Sequence, residues 1–273
     1  MCLPETFKLR EGAVSRRNVF KFAAAAAAAA ALPAVSEAAP LSLPRISRIV
    51  DLTHVLGNRT PVFPGLPGFQ IEPNTTIAQN GFYANRIMMG EHVGTHMDAP
   101  SHFSTEGLFA HEIPADRLVG PLAVIDIRER VARDPDAMVM PDDILAWERR
   151  YGRLPNGAIV IMHSGWAARF GDPQAFLNAD ASNVTHFPGW SKDATDLLMM
   201  ERNVNGIGVD TLSLDRGVSA AFEVHYSWLP SQRYGLELVA NLTNVPPSGA
   251  LLVVGGPKTF SGSGGPSRLI ALM

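Results

Sequence analysis

Seven short apolar runs are spread along this chain, at 49–52, 86–89, 122–127, 158–162, 206–209, 251–254 and 269–272. Each has the length of a strand and is too short for a helix that must bury one face. Helical patterns lie between only some of them. The segment 142–151 follows Pro141 and opens on Asp142 and Asp143, acids that suit a helix N-terminus. The segment 191–201 opens on Ser191, whose hydroxyl can cap free backbone N–H groups, and carries Leu197, Leu198, Met199 and Met200. Strands and helices that mix without strict alternation predict one α/β domain on a single mixed sheet, over residues 40–273. No linker or repeat divides that range, and 46% hydrophobic content over a chain of 273 residues suffices for one large core.

Residues 1–39 read differently. Arg16 and Arg17 precede an alanine run over 23–31, then Leu32, Pro33 and the small-residue stretch Ser36, Glu37, Ala38, Ala39. This order resembles a bacterial twin-arginine export signal, so residues 1–39 are expected to be a signal peptide and the mature protein periplasmic or secreted. The alanine run is shorter than the ~20 residues that span a bilayer, and no other run is long enough, so no membrane anchor is expected. The net charge is −3, with no long Lys/Arg run in the body of the chain, which argues against a nucleic-acid partner. Cys2 is the sole cysteine. A disulfide within the chain and a Cys-based zinc site are therefore excluded, and any metal must be held by His, Asp and Glu.

Three imidazoles and a carboxylate fall within eleven residues: His92, His96, Asp98 and His102. Gly94 and Pro100 argue against a helix there. In an extended segment, residues of equal parity face one side. All four positions are even, so a strand giving way to a loop can aim them into one pocket. Histidine nitrogens with a carboxylate oxygen suit zinc, manganese or iron(II), and three protein ligands with an open position describe a catalytic site.

The string His92-x-Gly-Thr-His96-x-Asp98-x-Pro-x-His102 resembles the signature of the cyclase family of metal-dependent hydrolases, which includes bacterial kynurenine formamidases (arylformamidases) and isatin hydrolases. Asp51-Leu-Thr-His, Thr60-Pro-Val-Phe-Pro-Gly65, His186-Phe-Pro-Gly189, the run from Gly208 to Asp215 and Gly-Gly-Pro-Lys258 extend the likeness over nearly all of the mature chain. The resemblance implies a cyclase-type domain, of swivelling β/β/α-like architecture, and a divalent cofactor, Zn²⁺ or Mn²⁺, as one or two ions. By the same resemblance His92, His96 and Asp98 hold the first ion, and Asp98 bridges to a second held by His225 and Glu237, which lie twelve residues apart. His102 matches the proton donor and acceptor. The family also implies a homo-oligomer, a dimer or tetramer. Formamidases usually carry Trp-Pro-Gly-Asp in the substrate loop, where this chain reads Phe63-Pro-Gly-Leu66. The small-molecule substrate expected here is therefore neutral and cyclic or aromatic.

A divalent ion lowers the pKa of water it binds toward ~7 and so supplies hydroxide for attack on an amide, lactam, lactone or formamide carbonyl. A His of ordinary pKa, ~6.5, can carry the proton to the leaving group, and His102 is the candidate. A metal-dependent lyase or hydratase, and a non-catalytic periplasmic protein that binds metal or a small ligand, are the competing classes. His163, at the end of an apolar strand, divides evenly between pocket and core. Phe63 and Trp166 are candidates for packing on an aromatic substrate. His54 and His111 read as loop residues, His186 as structural, and Asp210, Ser213 and Asp215 as turn-forming. The glycine-rich segment 261–266 lacks the Lys and the helix of a phosphate loop, and no Gly-x-Ser-x-Gly elbow occurs.

Overall fold

A computed structural model of the chain describes residues 46–273; the expected export signal lies outside them. Nine strands form one sheet: β1 (Ile49–Asp51), β2 (His96–Asp98), β3 (Val119–Asp126), β4 (Ala158–His163), β5 (Val204–Gly208), β6 (Tyr234–Glu237), β7 (Ala250–Gly255), β8 (Gly264–Pro266) and β9 (Arg268–Leu272). Across the sheet the order is β1, β9, β7, β3, β4, β5, β6, β2, β8. The middle four, β3 to β6, run parallel, and both flanks are antiparallel. Parallel neighbours need a crossover. Helices α1 (Pro141–Tyr151), α2 (Lys192–Glu201) and α3 (Glu223–Trp228) supply the three crossovers.

Side chains alternate across the sheet, so β3 and β4 feed two cores, while β5 contributes to one of them and β6 to the other. Ala123, Ile125, Val160, Met162 and Ile207 meet Ile144, Trp147, Leu198 and Trp228 from the helices. On the other face Leu122, Val124, Ile159, Ile161 and Leu236 pack with Leu252, Leu269 and Ala271 of one flank and Met97 of the other. Strands from opposite ends of the order share this second core because the sheet curls into a half-barrel. Burial on both faces explains why the central strands read as unbroken apolar runs.

Six of the seven apolar runs are strands of this sheet. The seventh, 86–89, is not: it falls on Ala84–Met88, which pairs only with Gln70–Thr75 as a separate hairpin. Its Ile87 and Met88 are exposed, because among the described residues no other layer covers that ribbon. Strands β2, β6 and β8 and helix α3 have no periodic signal, being three to six residues long and rich in Gly, His or polar residues.

Candidate metal centre

The centre is built where β2 lies between β6 and β8. In this register His96 faces Glu237, and Asp98 faces Gly235 on one side and Gly264 on the other. Met97 points to the opposite face, into the core. The two glycines leave room for what surrounds Asp98. A Cβ on Gly264 would come within 2.8 Å of His92 Cε1, and one on Gly235 would approach Asp98 Oδ2 at 3.4 Å. Gly94, at φ +63°, turns the chain ahead of β2, and its carbonyl accepts the Nδ1–H of His96 at 2.8 Å.

The four motif residues converge, but not along one extended segment. Only His96–Asp98 is strand, and His102 ends a single turn of 3₁₀ helix, Pro100–His102. Position parity therefore holds for His96 and Asp98 alone; the Gly94 turn and the 3₁₀ turn bring in the other two. His102 stacks on His92, with ring centres 3.8 Å apart.

His225 and Glu237 join them from α3 and the end of β6. Asp98 Oδ1 lies 2.6 Å from His92 Nδ1 and 3.2 Å from His96 Nε2, while its Oδ2 lies 3.5 Å from His225 Nε2. Glu237 reaches His96 Nε2 and His225 Nε2, each at 3.3 Å. Two groups of ligand atoms result, each within 4.8 Å: His92, His96 and Asp98, and Asp98, His225 and Glu237. Asp98 belongs to both.

His92, His96 and His225 each have one ring nitrogen tied down. His96 Nδ1 meets the Gly94 carbonyl, His225 Nδ1 meets Asp215 Oδ2 at 2.6 Å, and His92 Nε2 meets Ser263 Oγ at 2.9 Å. The remaining nitrogen of each faces the carboxylates. Asp215 also accepts the Val224 and His225 backbone N–H groups, so one carboxylate starts α3 and orients its histidine. It is more than the turn residue expected from sequence. Metal-binding histidines are held in this way, with the second nitrogen fixing the tautomer. Among the described residues His96 Nε2 and Asp98 Oδ2 are buried without a hydrogen-bond partner, and Glu237 accepts from the Leu214 N–H. The donor set and these orphaned atoms fit a divalent cation.

The electrostatics agree. Burial opposes charge on every one of these groups, yet Asp98 and Glu237 raise His96 to about 10. His225 likewise rises against burial, through Asp215, Asp98 and Glu237. Asp98 is pushed up by burial but held low by His96 and the other facing imidazoles, and Glu237 is held low by His225 and His96. Two buried carboxylates thus draw protons onto their neighbours, a demand for positive charge that a divalent cation would equally meet. His102, first through burial and then through His92 and His225, falls to about 4, below the ordinary value expected from sequence.

A pocket opens over the centre. Phe63, Leu66, Phe103, Leu212, Phe222 and Leu238 wall it, and His92, His102, Ser213 and Glu237 supply polar groups. Phe222 holds φ +49° at the start of α3, a conformation costly for a bulky residue and found at ligand-facing positions. Phe63 thus stands on the wall of the pocket over the centre. Trp166 does not: it is buried behind Leu212 and Leu238, with its indole N–H donating to the Phe176 carbonyl at 2.8 Å and the Arg169 guanidinium over its ring. His163 faces a different cavity, with His54 and Asp210, so burial of the β4 end decides against a place beside the ligands. His186 bonds Asp136, and His111, in a turn, accepts from the Ser261 N–H.

Comparison with known proteins agrees with this geometry. A family model described as a putative cyclase matches residues 50–216. An isatin hydrolase from Roseibium aggregatum is 35% identical over 82% of this chain and 91% of its own length. A kynurenine formamidase from Paracidovorax citrulli is 28% identical over 70% of this chain and 80% of its own length. The crystal structure of an isatin hydrolase bound to the product analogue thioisatinate is similar with a TM-score of 0.79, at 30% identity, over 95% of this chain and 99% of that one.

Proposed function

This chain belongs to the cyclase family, and we propose that it is a metal-dependent hydrolase opening the amide bond of a neutral, flat, aromatic lactam of the isatin class. The observation that carries the reading is the ligand cluster itself: three imidazoles, each with one nitrogen tied down, aim the other at two buried carboxylates beneath an aromatic pocket. In this reading His92, His96 and Asp98 hold one ion, and Asp98, His225 and Glu237 a second; zinc and manganese suit these donors. A divalent ion bound there supplies acidified water and polarises the scissile carbonyl.

The chain's own side chains do the rest. His102, neutral and within the pocket, takes the proton from attacking water and passes it to the departing nitrogen as the C–N bond breaks. The products are a carboxylate and an amine. Phe63, Phe103 and Phe222 hold the flat ring system and exclude bulk water. Leu66 offers no acceptor for an ammonium group, so an amine-bearing substrate is buried unpaired and disfavoured.

The experiment is a side-by-side turnover measurement on the metal-loaded protein with isatin and N-formylkynurenine. Isatin is expected to be the better substrate. A kcat/KM for N-formylkynurenine above ~10⁵ M⁻¹s⁻¹, with isatin slower, overturns the specificity reading while leaving the hydrolase class intact. Two further expectations belong to the same proposal. The protein assembles as a dimer or tetramer, which sedimentation tests. Arg16 and Arg17 direct twin-arginine export to the periplasm; normal periplasmic accumulation of the double Lys variant would refute that.

A further inference from the structure

The three imidazoles differ in what holds them. His96 rests on a backbone carbonyl and His225 on a buried carboxylate, and both are almost sealed from solvent. His92 is the most open of the three, with 17% of its side chain exposed, and its partner is a serine from a loop 171 residues away. That serine is itself pinned. The Ser263 N–H and hydroxyl both donate to Glu91 Oε2, at 3.0 and 2.6 Å, and its carbonyl accepts the Ala99 N–H at 2.9 Å. Since the hydroxyl proton is committed to Glu91, Ser263 Oγ is left as an acceptor. It can only receive the His92 Nε2–H.

We propose that Glu91 and Ser263 form a positioning relay for His92, fixing it as the Nε2–H tautomer with Nδ1 turned to Asp98 and the ion. Asp98 Oδ1, 2.6 Å from Nδ1, holds the ring on the ion's side, and on the far side the serine hydroxyl is its polar contact. Gly264 lies against one edge, His102 stacks on its face, and neither fixes which nitrogen carries the proton. At the partly open position, water competes for Nε2, and a carboxylate-backed hydroxyl outcompetes it. The relay also joins the residue just ahead of the ligand motif to the loop leading into β8, so the ion at His92 couples to that loop.

This inference rests on the metal reading above, and its test uses zinc alone, without substrate. Zinc affinity of chelator-treated protein is measured by competition with a chromophoric chelator, alongside the thermal midpoint of the metal-free protein. Ser263→Ala is expected to weaken zinc binding ~10–100-fold, the usual effect of losing such a partner. Ser263→Thr, which keeps the hydroxyl, should restore it, and Glu91→Gln, which keeps an acceptor oxygen, should cost only a few-fold. Because the two act in series, Ser263→Ala with Glu91→Gln should bind no more weakly than Ser263→Ala. The relay is overturned if Ser263→Ala binds zinc like the wild type, if the two effects multiply, or if the loss merely follows a lowered metal-free midpoint. A wild-type protein that takes up no zinc overturns both the relay and the metal reading.

Discussion

Among the described residues, two buried groups of histidines and an aspartate suit a metal on composition alone. One is the centre around Asp98. The other surrounds the cavity lined by His54, His163 and Asp210. Their carboxylates are equally buried, but Asp210 is saturated: it accepts from the Ser164 N–H and hydroxyl, the Gly165 N–H and the Trp166 N–H. Asp98 keeps a partnerless oxygen and faces three imidazoles. The imidazoles differ in the same sense. Nε2 of both His54 and His96 is buried and unpartnered. With free carboxylates beside it, His96 rises to about 10; with none, burial drops His54 to about 4. A carboxylate whose lone pairs are spent on backbone amides shapes a loop, and one whose lone pairs are free recruits a cation.

The largest effect should separate the two aspartates. Asp98→Ala is expected to remove metal and lower kcat/KM by roughly 10³-fold or more, since the ion's share of transition-state stabilisation is several kcal/mol. Asp210→Asn should keep its metal and instead lose about 3 kcal/mol of stability, because hydrogen bonds to a buried charge are replaced by weaker or clashing ones. Metal analysis beside thermal unfolding checks this; metal loss in Asp210→Asn with retention in Asp98→Ala would reverse the comparison.

The distinction was only partly legible in the sequence. The motif from His92 to His102 announces ligand chemistry because three imidazoles and a carboxylate crowd into eleven residues where Gly94 and Pro100 argue against an α-helix, and the strands at the middle of the sheet announce themselves because they are buried on both faces. His225 and Glu237 were within reach only through family resemblance: they sit on a six-residue helix and a four-residue strand, neither of which has a readable period. Helix α3 lacks a local capping signal because its cap, Asp215, lies nine residues before Val224. Asp215, Ser263 and Glu91 act across folded distances, and no spacing rule reaches from Glu91 to Ser263. Trp166 looked like a substrate contact because aromatic residues near a strand end suit both fates; packing against Phe176 and Phe187 decides for the core.

A smaller effect sharpens the roles within the centre. His102→Ala leaves His92, His96 and Asp98 in place, so it should retain metal yet lose ~10²–10⁴ in kcat. Metal content falling with the rate would make His102 a ligand rather than a proton carrier.

The smallest effect is at His54. Its folded pKa, about 4, lies below the 6.5 of the unfolded chain, so its contribution to stability is present above pH 6.5 and is lost as the pH falls toward 4. His54→Phe should flatten the stability profile across that window by ~1–2 kcal/mol, after allowance for partial exposure. An unchanged slope in urea unfolding between pH 6.5 and 4 would show that His54 is protonated in the folded protein.

The central claim is that the cluster around Asp98 holds the ion on which catalysis depends. The direct measurement is a titration of chelator-stripped protein with zinc or manganese, recording bound metal and isatin hydrolysis together. The expected result is negligible turnover in the stripped protein and a rate that rises with occupancy until the site is filled. Full activity in protein shown to carry no metal would contradict the account.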